Sequence, residues 1–116
     1  MTSLPEPPYY AVIFSAQQSD DIEGYGPMAD TMIELAAQQS GYLGIENTRG
    51  ADGFGITISY WKSEADIAAW KENVRHQAAQ KAGMERWYSS YTLRVAKVER
   101  AYTGPAGRGE FGAAGN

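Results

Sequence analysis

Apolar and polar residues recur along the chain with two periods, which predict strands and helices in a fixed order. Aromatic and β-branched residues fill positions 9–17, and both alternating faces of this segment are apolar, so we expect a strand covered on both sides. Positions 42–49 and 54–61 alternate around the turn Gly50-Ala-Asp-Gly53, which predicts a hairpin. A final strand is predicted over positions 88–102.

Two segments between these strands have apolar residues at helical spacing. The first begins near Pro27, a residue that suits a first helical turn, and ends before Gly41. The second begins at Ser63, whose spacing from Asp66 is that of a capping box, and we expect it to continue to Gly83. The resulting order, β-α-β-β-α-β, predicts an α+β ferredoxin-like fold with an antiparallel sheet and both helices on one face.

Glycine and proline concentrate at the two ends of the 116-residue chain. Residues 1–8 hold three of the five prolines, and residues 103–116 hold five of the 13 glycines. Neither segment has enough apolar residues to offset the entropy lost on ordering its backbone. We therefore expect two flexible ends around one compact domain of 94 residues, positions 9–102.

Charge and residue usage exclude several classes of protein. A net charge of −4 argues against a nucleic-acid partner, and no apolar run is long enough for a membrane span. Because the chain has no cysteine and one histidine, disulfides, thiol catalysis and clustered metal centres are not expected. The first residues lack the pattern of a secretory signal, so we expect a cytoplasmic protein.

Two features of the predicted strands favour a homodimer. The first strand is apolar on both faces, although the fold supplies helices for only one of them. The last strand, if regular over positions 88–102, would be roughly 50 Å long and would extend beyond a domain of this size. Two sheets packed together in a dimer would account for both features, and the alternative is a strand that breaks near Ser89 and Ser90.

Three segments carry a resemblance to a known family, namely positions 41–50, 58–80 and 87–102. Together they resemble the antibiotic biosynthesis monooxygenase (ABM) domain family, in the branch related to heme-degrading monooxygenases. The resemblance implies a dimeric α+β barrel with one small-molecule pocket per subunit between helices and sheet. It also implies oxidation of a small aromatic or quinol-like substrate by molecular oxygen, in which the substrate supplies the electrons and no cofactor or metal is bound.

Such chemistry needs an apolar pocket and a few polar groups that stabilise a developing oxyanion. We expect catalytic roles for His76, Trp70 and Asn47, although each has a simpler alternative. His76 could be a surface histidine near a helix end, Trp70 could only pack in the core, and Asn47 could satisfy backbone groups near the hairpin. The residues expected to contact substrate are Phe14, Met28, Met32, Tyr91 and Arg94.

Two other functions stay open. The heme-degrading branch has a tryptophan on its second helix, which Trp70 matches, and a histidine ten residues later, where this chain has Gln80. His76 follows Trp70 by only six residues, and the first strand lacks the asparagine of that branch. A heme-binding or heme-degrading protein is thus one alternative. A non-enzymatic dimer that binds a metabolite or a partner protein is the other.

Overall fold

The predicted order of elements is confirmed. The computed structural model describes residues 4–75 and 86–104, without the side chains of residues 74 and 75. The elements are β1 (Tyr9–Gln18), α1 (Tyr25–Ala37), β2 (Tyr42–Arg49), β3 (Phe54–Trp61), α2 (Glu64–Arg75) and β4 (Tyr88–Val98). The predicted continuation of α2 to Gly83 lies outside the described residues, and so does His76.

The last strand is shorter than the sequence pattern predicts. β4 ends at Val98, so it has 11 residues, and positions 99–102 are not part of it. Val98 pairs with Tyr9, the first residue of β1, and Pro8 before it has no N–H with which to extend the ladder. The prediction of a strand over 88–102 is therefore wrong at its end, and strand length no longer argues strongly for a dimer.

The four strands form one antiparallel sheet in the order β2-β3-β1-β4, with both helices on the same face. Ala36 of α1 and Ile67 of α2 share a buried cluster with Val12 and Trp61. Trp61 is fully buried, and its indole N–H donates to the Ser59 hydroxyl at 2.9 Å. The core of the domain therefore lies between this sheet face, called the helix face, and the two helices.

The more polar side of β3 is the one turned toward the helices. Thr57, Ser59 and Trp61 alternate onto the helix face, while Ile56 and Ile58 lie on the other face with Ile13 of β1. Ile13 and Ile58 are direct cross-strand partners. The sheet face away from the helices, called the outer face, thus carries a continuous apolar surface across the two central strands.

An aromatic pair and a hydrogen bond extend the outer face. The Tyr9 and Tyr60 rings meet edge to face at 5.8 Å, and the Tyr60 hydroxyl donates to Glu46 Oε1 at 2.7 Å. Burial, the bond to Glu46 and the negative charge of that carboxylate raise the pKa of Tyr60 to about 12.

This raised pKa predicts a loss of stability at alkaline pH. The native protein keeps the Tyr60 proton up to about pH 12, while the unfolded chain releases it near the usual pKa of about 10. The contribution is therefore fully present below about pH 10 and is lost as the pH rises to about 12. Tyr60→Phe should flatten the fall in the free energy of unfolding over this range, measured by urea denaturation at several pH values.

Glu46→Gln provides the matched variant for this measurement. It keeps an acceptor oxygen for the Tyr60 hydroxyl and removes only the carboxylate charge, so its pH dependence should lie between those of the native protein and Tyr60→Phe. The same slope in all three proteins would show that Tyr60 does not contribute.

Candidate functional site

A cavity of about 510 Å³ lies between α1 and the helix face of the sheet. Its size is within the usual range of small-molecule pockets, and most of its lining is apolar. The lining residues are Val12, Phe14, Tyr25, Gly26, Met28, Ala29, Asp30, Met32, Ile33, Ala36, Ile45, Asn47, Thr48, Arg49, Thr57, Ser59, Trp70, Trp87, Tyr88 and Leu93. The opening is thus a candidate binding site for a small and largely apolar molecule.

Five of the residues predicted for the site meet at this cavity. Phe14 and Asn47 flank Thr57 in one cross-strand row, and therefore point to the same face. Met28 and Met32 lie one turn apart on α1 and form part of the opposite wall. Methionine side chains adapt well to irregular apolar surfaces, so these positions suit a pocket wall.

Trp70 packs in the core and also lines the cavity. Its ring stacks on Trp61 at 6.0 Å and 24°, and it packs against the buried cluster. It also lines the cavity and is only half-buried. Core packing and a place in the cavity wall are therefore compatible, and a part in catalysis stays a prediction.

Asn47 presents a polar group to the cavity. It is exposed, and among the residues described its side-chain amide has no hydrogen-bond partner. The alternative expectation, an asparagine that satisfies backbone groups beside the hairpin, has no support among these residues. The amide is available to a ligand.

Two more of the predicted residues, Tyr91 and Arg94, do not line the cavity. Tyr91 is on the helix face of β4, opposite Ala16, and its half-exposed ring lies 5.4 Å from that of Phe14 at the side of the cavity. Arg94 is opposite Ile13 on the outer face, so the two residues lie on opposite faces as their spacing predicts. Substrate contact by Arg94 within one chain has no geometric support. The remaining predicted residue, His76, lies outside the described residues.

Sequence reasoning missed a polar cluster at the cavity. The Tyr25 hydroxyl accepts hydrogen bonds from Arg49 Nη2 at 3.1 Å and from the Tyr88 hydroxyl at 3.2 Å. The Arg49 guanidinium also lies 5.6 Å from the centre of the Tyr25 ring. The Trp87 ring packs edge to face with the same Tyr25 ring. Tyr25, Arg49 and Tyr88 are named the Arg49 cluster.

The hairpin between β2 and β3 holds Arg49 in this position. Arg49 is the cross-strand partner of Gly55, and a Cβ atom at Gly55 would lie 2.7 Å from Arg49 Cζ. Arg49 Nη1 donates to the carbonyl of Gly53, a turn residue with φ of 87°. A glycine inside a strand often marks such a close approach, so Gly55 was the signal that could have revealed the cluster.

The Arg49 cluster keeps a neutral phenol in the cavity. Burial and the hydrogen bond to Tyr25 raise the pKa of Tyr88, and the positive charge of Arg49 opposes this only in part. Tyr88 therefore stays protonated at neutral pH and donates to Tyr25. The Tyr25 hydroxyl proton and the Arg49 guanidinium then provide hydrogen-bond donors at one end of an otherwise apolar space.

Within the described part of the chain, no three His, Cys, Asp or Glu side chains come together where they could hold a metal ion. Over residues 4–75 and 86–104, neither helix is long and apolar enough to cross a membrane.

Comparison with known proteins relates the chain to one family. The family model described as antibiotic biosynthesis monooxygenase matches residues 8–82. The uncharacterized protein YqjZ of Bacillus subtilis is 53% identical over 100 residues, which cover 86% of this chain and 88% of YqjZ. A jasmonate monooxygenase of Pyricularia oryzae is 29% identical over 94 residues, which cover 77% of this chain but 43% of that protein.

Solved structures share the fold at low sequence identity. The crystal structure of SnoaB, a cofactor-independent oxygenase from Streptomyces nogalater, matches with a TM-score of 0.64 and 10% identity. The match covers 85% of this chain and 99% of SnoaB. At this identity, the likeness supports the ferredoxin-like architecture.

Proposed function

Since the chain belongs to the antibiotic biosynthesis monooxygenase family, we propose that it oxidises a small aromatic or quinol-like molecule with molecular oxygen and without a bound cofactor. The names of two similar proteins support this class of reaction, since one is a monooxygenase and the other a cofactor-independent oxygenase. In such a reaction an activated CH₂ group loses a proton and then donates electrons to oxygen. One oxygen atom enters the substrate as a carbonyl group and the other leaves as water.

The open, mainly apolar cavity with a few polar groups on its wall is the observation that carries this proposal. An apolar space excludes water from a reactive carbanion, and fixed donors stabilise the negative charge that develops on oxygen. Asn47 and the Arg49 cluster supply such donors, and Trp70 offers a flat surface for an aromatic ring. An open cavity also favours this function over the alternative of a non-enzymatic interaction module.

Oxygen uptake with a panel of anthrones and dihydroxynaphthalenes tests the proposal. We expect turnover by the native protein, and a fall in kcat/KM of about 100-fold in Asn47→Ala, because removal of one oxyanion donor costs about that much in other enzymes. Trp70→Phe should lower kcat/KM by about 10-fold, since it keeps an aromatic ring but loses contact area. Lys62→Gln, which changes an exposed residue directly after β3, should behave as the native protein.

Unchanged turnover in both Asn47→Ala and Trp70→Phe would overturn the site assignment. His76→Ala belongs in the same series, because a catalytic role is expected for His76 and an imidazole is the side chain best suited to proton transfer near neutral pH. Its role stays a prediction, and so does the heme-binding alternative that depends on it. Titration with hemin tests that alternative, and a Soret shift that His76→Ala abolishes would support it.

We propose further that the protein is a homodimer joined through the outer face. The apolar surface formed by Ile13, Ile56 and Ile58 supports this, since the helices of the same subunit pack on the other face of the sheet. A dimeric α+β barrel is also what the resemblance to the family implies. The cytoplasmic location expected from the sequence stays a prediction.

A further inference from the structure

The Arg49 cluster contains a hydroxyl proton that no described residue accepts. Tyr25 and Tyr88 share one hydrogen bond of 3.2 Å between their hydroxyl oxygens, so whichever group donates, the proton of the other remains. Arg49 Nη2 approaches the same Tyr25 oxygen and can only donate to it. The cluster therefore has donors in excess and lacks an acceptor among the residues described.

The charge of the cluster is also uncompensated within this part of the structure. No described carboxylate forms an ion pair with the Arg49 guanidinium, whose hydrogen bonds go to the Tyr25 hydroxyl and to the backbone carbonyl of Gly53. Asp30 lines the cavity too, but it is exposed and is not paired with Arg49. A guanidinium has five N–H donors, so several remain for a ligand.

The position of Arg49 is built by the backbone around it. The guanidinium lies against Gly55, where any side chain would displace it, and the Gly53 carbonyl holds its Nη1. A long flexible side chain is thereby held at one end of the cavity before a ligand arrives. Such preorganisation lowers the entropy lost on binding.

We propose that the Arg49 cluster binds the anionic oxygen of the ligand, a carboxylate or a phenolate, while the apolar body of that ligand fills the rest of the cavity. An anion supplies both the missing hydrogen-bond acceptor and the missing negative charge, since it accepts the remaining hydroxyl proton and pairs with the guanidinium. The inference rests on the proposed role of the cavity as a small-molecule site, and does not depend on oxygen chemistry. It also specifies the substrate class as apolar acids with one ionised oxygen group.

Equilibrium binding of matched naphthalene probes at pH 7 tests the inference. The carboxylate arm compares 2-naphthoate with neutral 2-naphthamide, and the phenolate arm compares ionised 4-nitro-1-naphthol with its methyl ether. We expect at least one anion to bind about 10-fold more tightly than its neutral partner, and the arm that shows the preference identifies the ligand class. Intrinsic tryptophan fluorescence, to which Trp70 and Trp87 at the cavity contribute, reports binding.

Two variants should abolish the preference for the anion. Arg49→Gln removes the charge and keeps an N–H donor, and Gly55→Ala leaves Arg49 in the chain but fills the space against which it lies. Both should keep the affinity for the neutral probes within about twofold, which also shows that the cavity is intact. Lys62→Gln removes a positive charge outside the cavity and should keep the full preference.

Equal binding of anions and neutral partners by the native protein, or a preference that survives Arg49→Gln, would overturn the inference. The result is separable from the proposed function. Tighter binding of an anion without oxygen uptake by any substrate would keep the anion site and count against the monooxygenase. Oxygen uptake by the native protein without any preference for anions over their neutral partners would keep the monooxygenase and count against the anion site.

Discussion

Ile58→Lys is expected to convert the protein from a dimer to a monomer at micromolar concentration. Ile58 lies in the middle of the outer face, half-buried beside its cross-strand partner Ile13. A lysine in the centre of an apolar interface would lose its hydration and find no opposite charge there. Altering a hot-spot residue near the centre of an interface costs about 2–4 kcal/mol of binding free energy. The dissociation constant should therefore rise by about 100-fold or more, measured by sedimentation velocity over a range of concentrations.

Ile22→Lys is the matched control for this measurement. It makes the same substitution at a residue that is 47% exposed and lies before α1, away from the sheet. It should leave the dimer unchanged, and far-ultraviolet circular dichroism should show both variants folded. A native protein that sediments as a monomer at micromolar concentration would remove the dimer proposal. A dimer that tolerates Ile58→Lys would place the interface elsewhere.

Trp61→Ala should destabilise the domain by about 3–5 kcal/mol, the usual cost of truncating a buried aromatic side chain. Trp61 is 0% exposed, and its ring contacts those of Trp70 at 6.0 Å and Tyr42 at 5.7 Å. The variant also leaves the Ser59 hydroxyl without the indole N–H that it accepts. Because domains of this kind are stable by only about 5–15 kcal/mol, a measurable unfolded fraction is expected.

Urea denaturation at neutral pH measures this loss. Trp61→Phe should cost less than Trp61→Ala, since it keeps most of the apolar area and loses the hydrogen bond to Ser59. Ile22→Ala removes an apolar side chain that is 47% exposed and should change the free energy of unfolding by less than about 1 kcal/mol. An equally small change in the free energy of unfolding for Trp61→Ala would show that the surrounding rings repack into the space left by the indole.

The strands of the hairpin were predictable because local signals agree. Period-two alternation on both sides of a turn with two glycines defines β2 and β3 at the bounds that the structure has. The end of β4 was not predictable in the same way. No glycine or proline interrupts positions 99–102, and the strand stops at Val98 because the partner strand begins at Tyr9, which no local pattern of β4 reveals.

The wall of the cavity was easier to predict than its polar end. Phe14 and Met32 follow from alternation and helical spacing, and the opposite faces of Tyr91 and Arg94 follow from strand period. The role of Arg49 depends on contacts with Gly55 across the hairpin and with Tyr25, which lies 24 residues away. Such a contact arises only when three elements pack together, so spacing along the chain does not encode it.

Because a cavity lies between α1 and the sheet, the melting temperature of the protein should rise when a ligand binds. A molecule that fills the cavity binds the native chain and not the unfolded one, so at 100 times its dissociation constant it adds about 2.7 kcal/mol to the free energy of unfolding. For a domain near 100 residues, each kcal/mol raises the melting temperature by about 4–8 °C. A library of small acids could therefore be screened by thermal shift before any reaction is known.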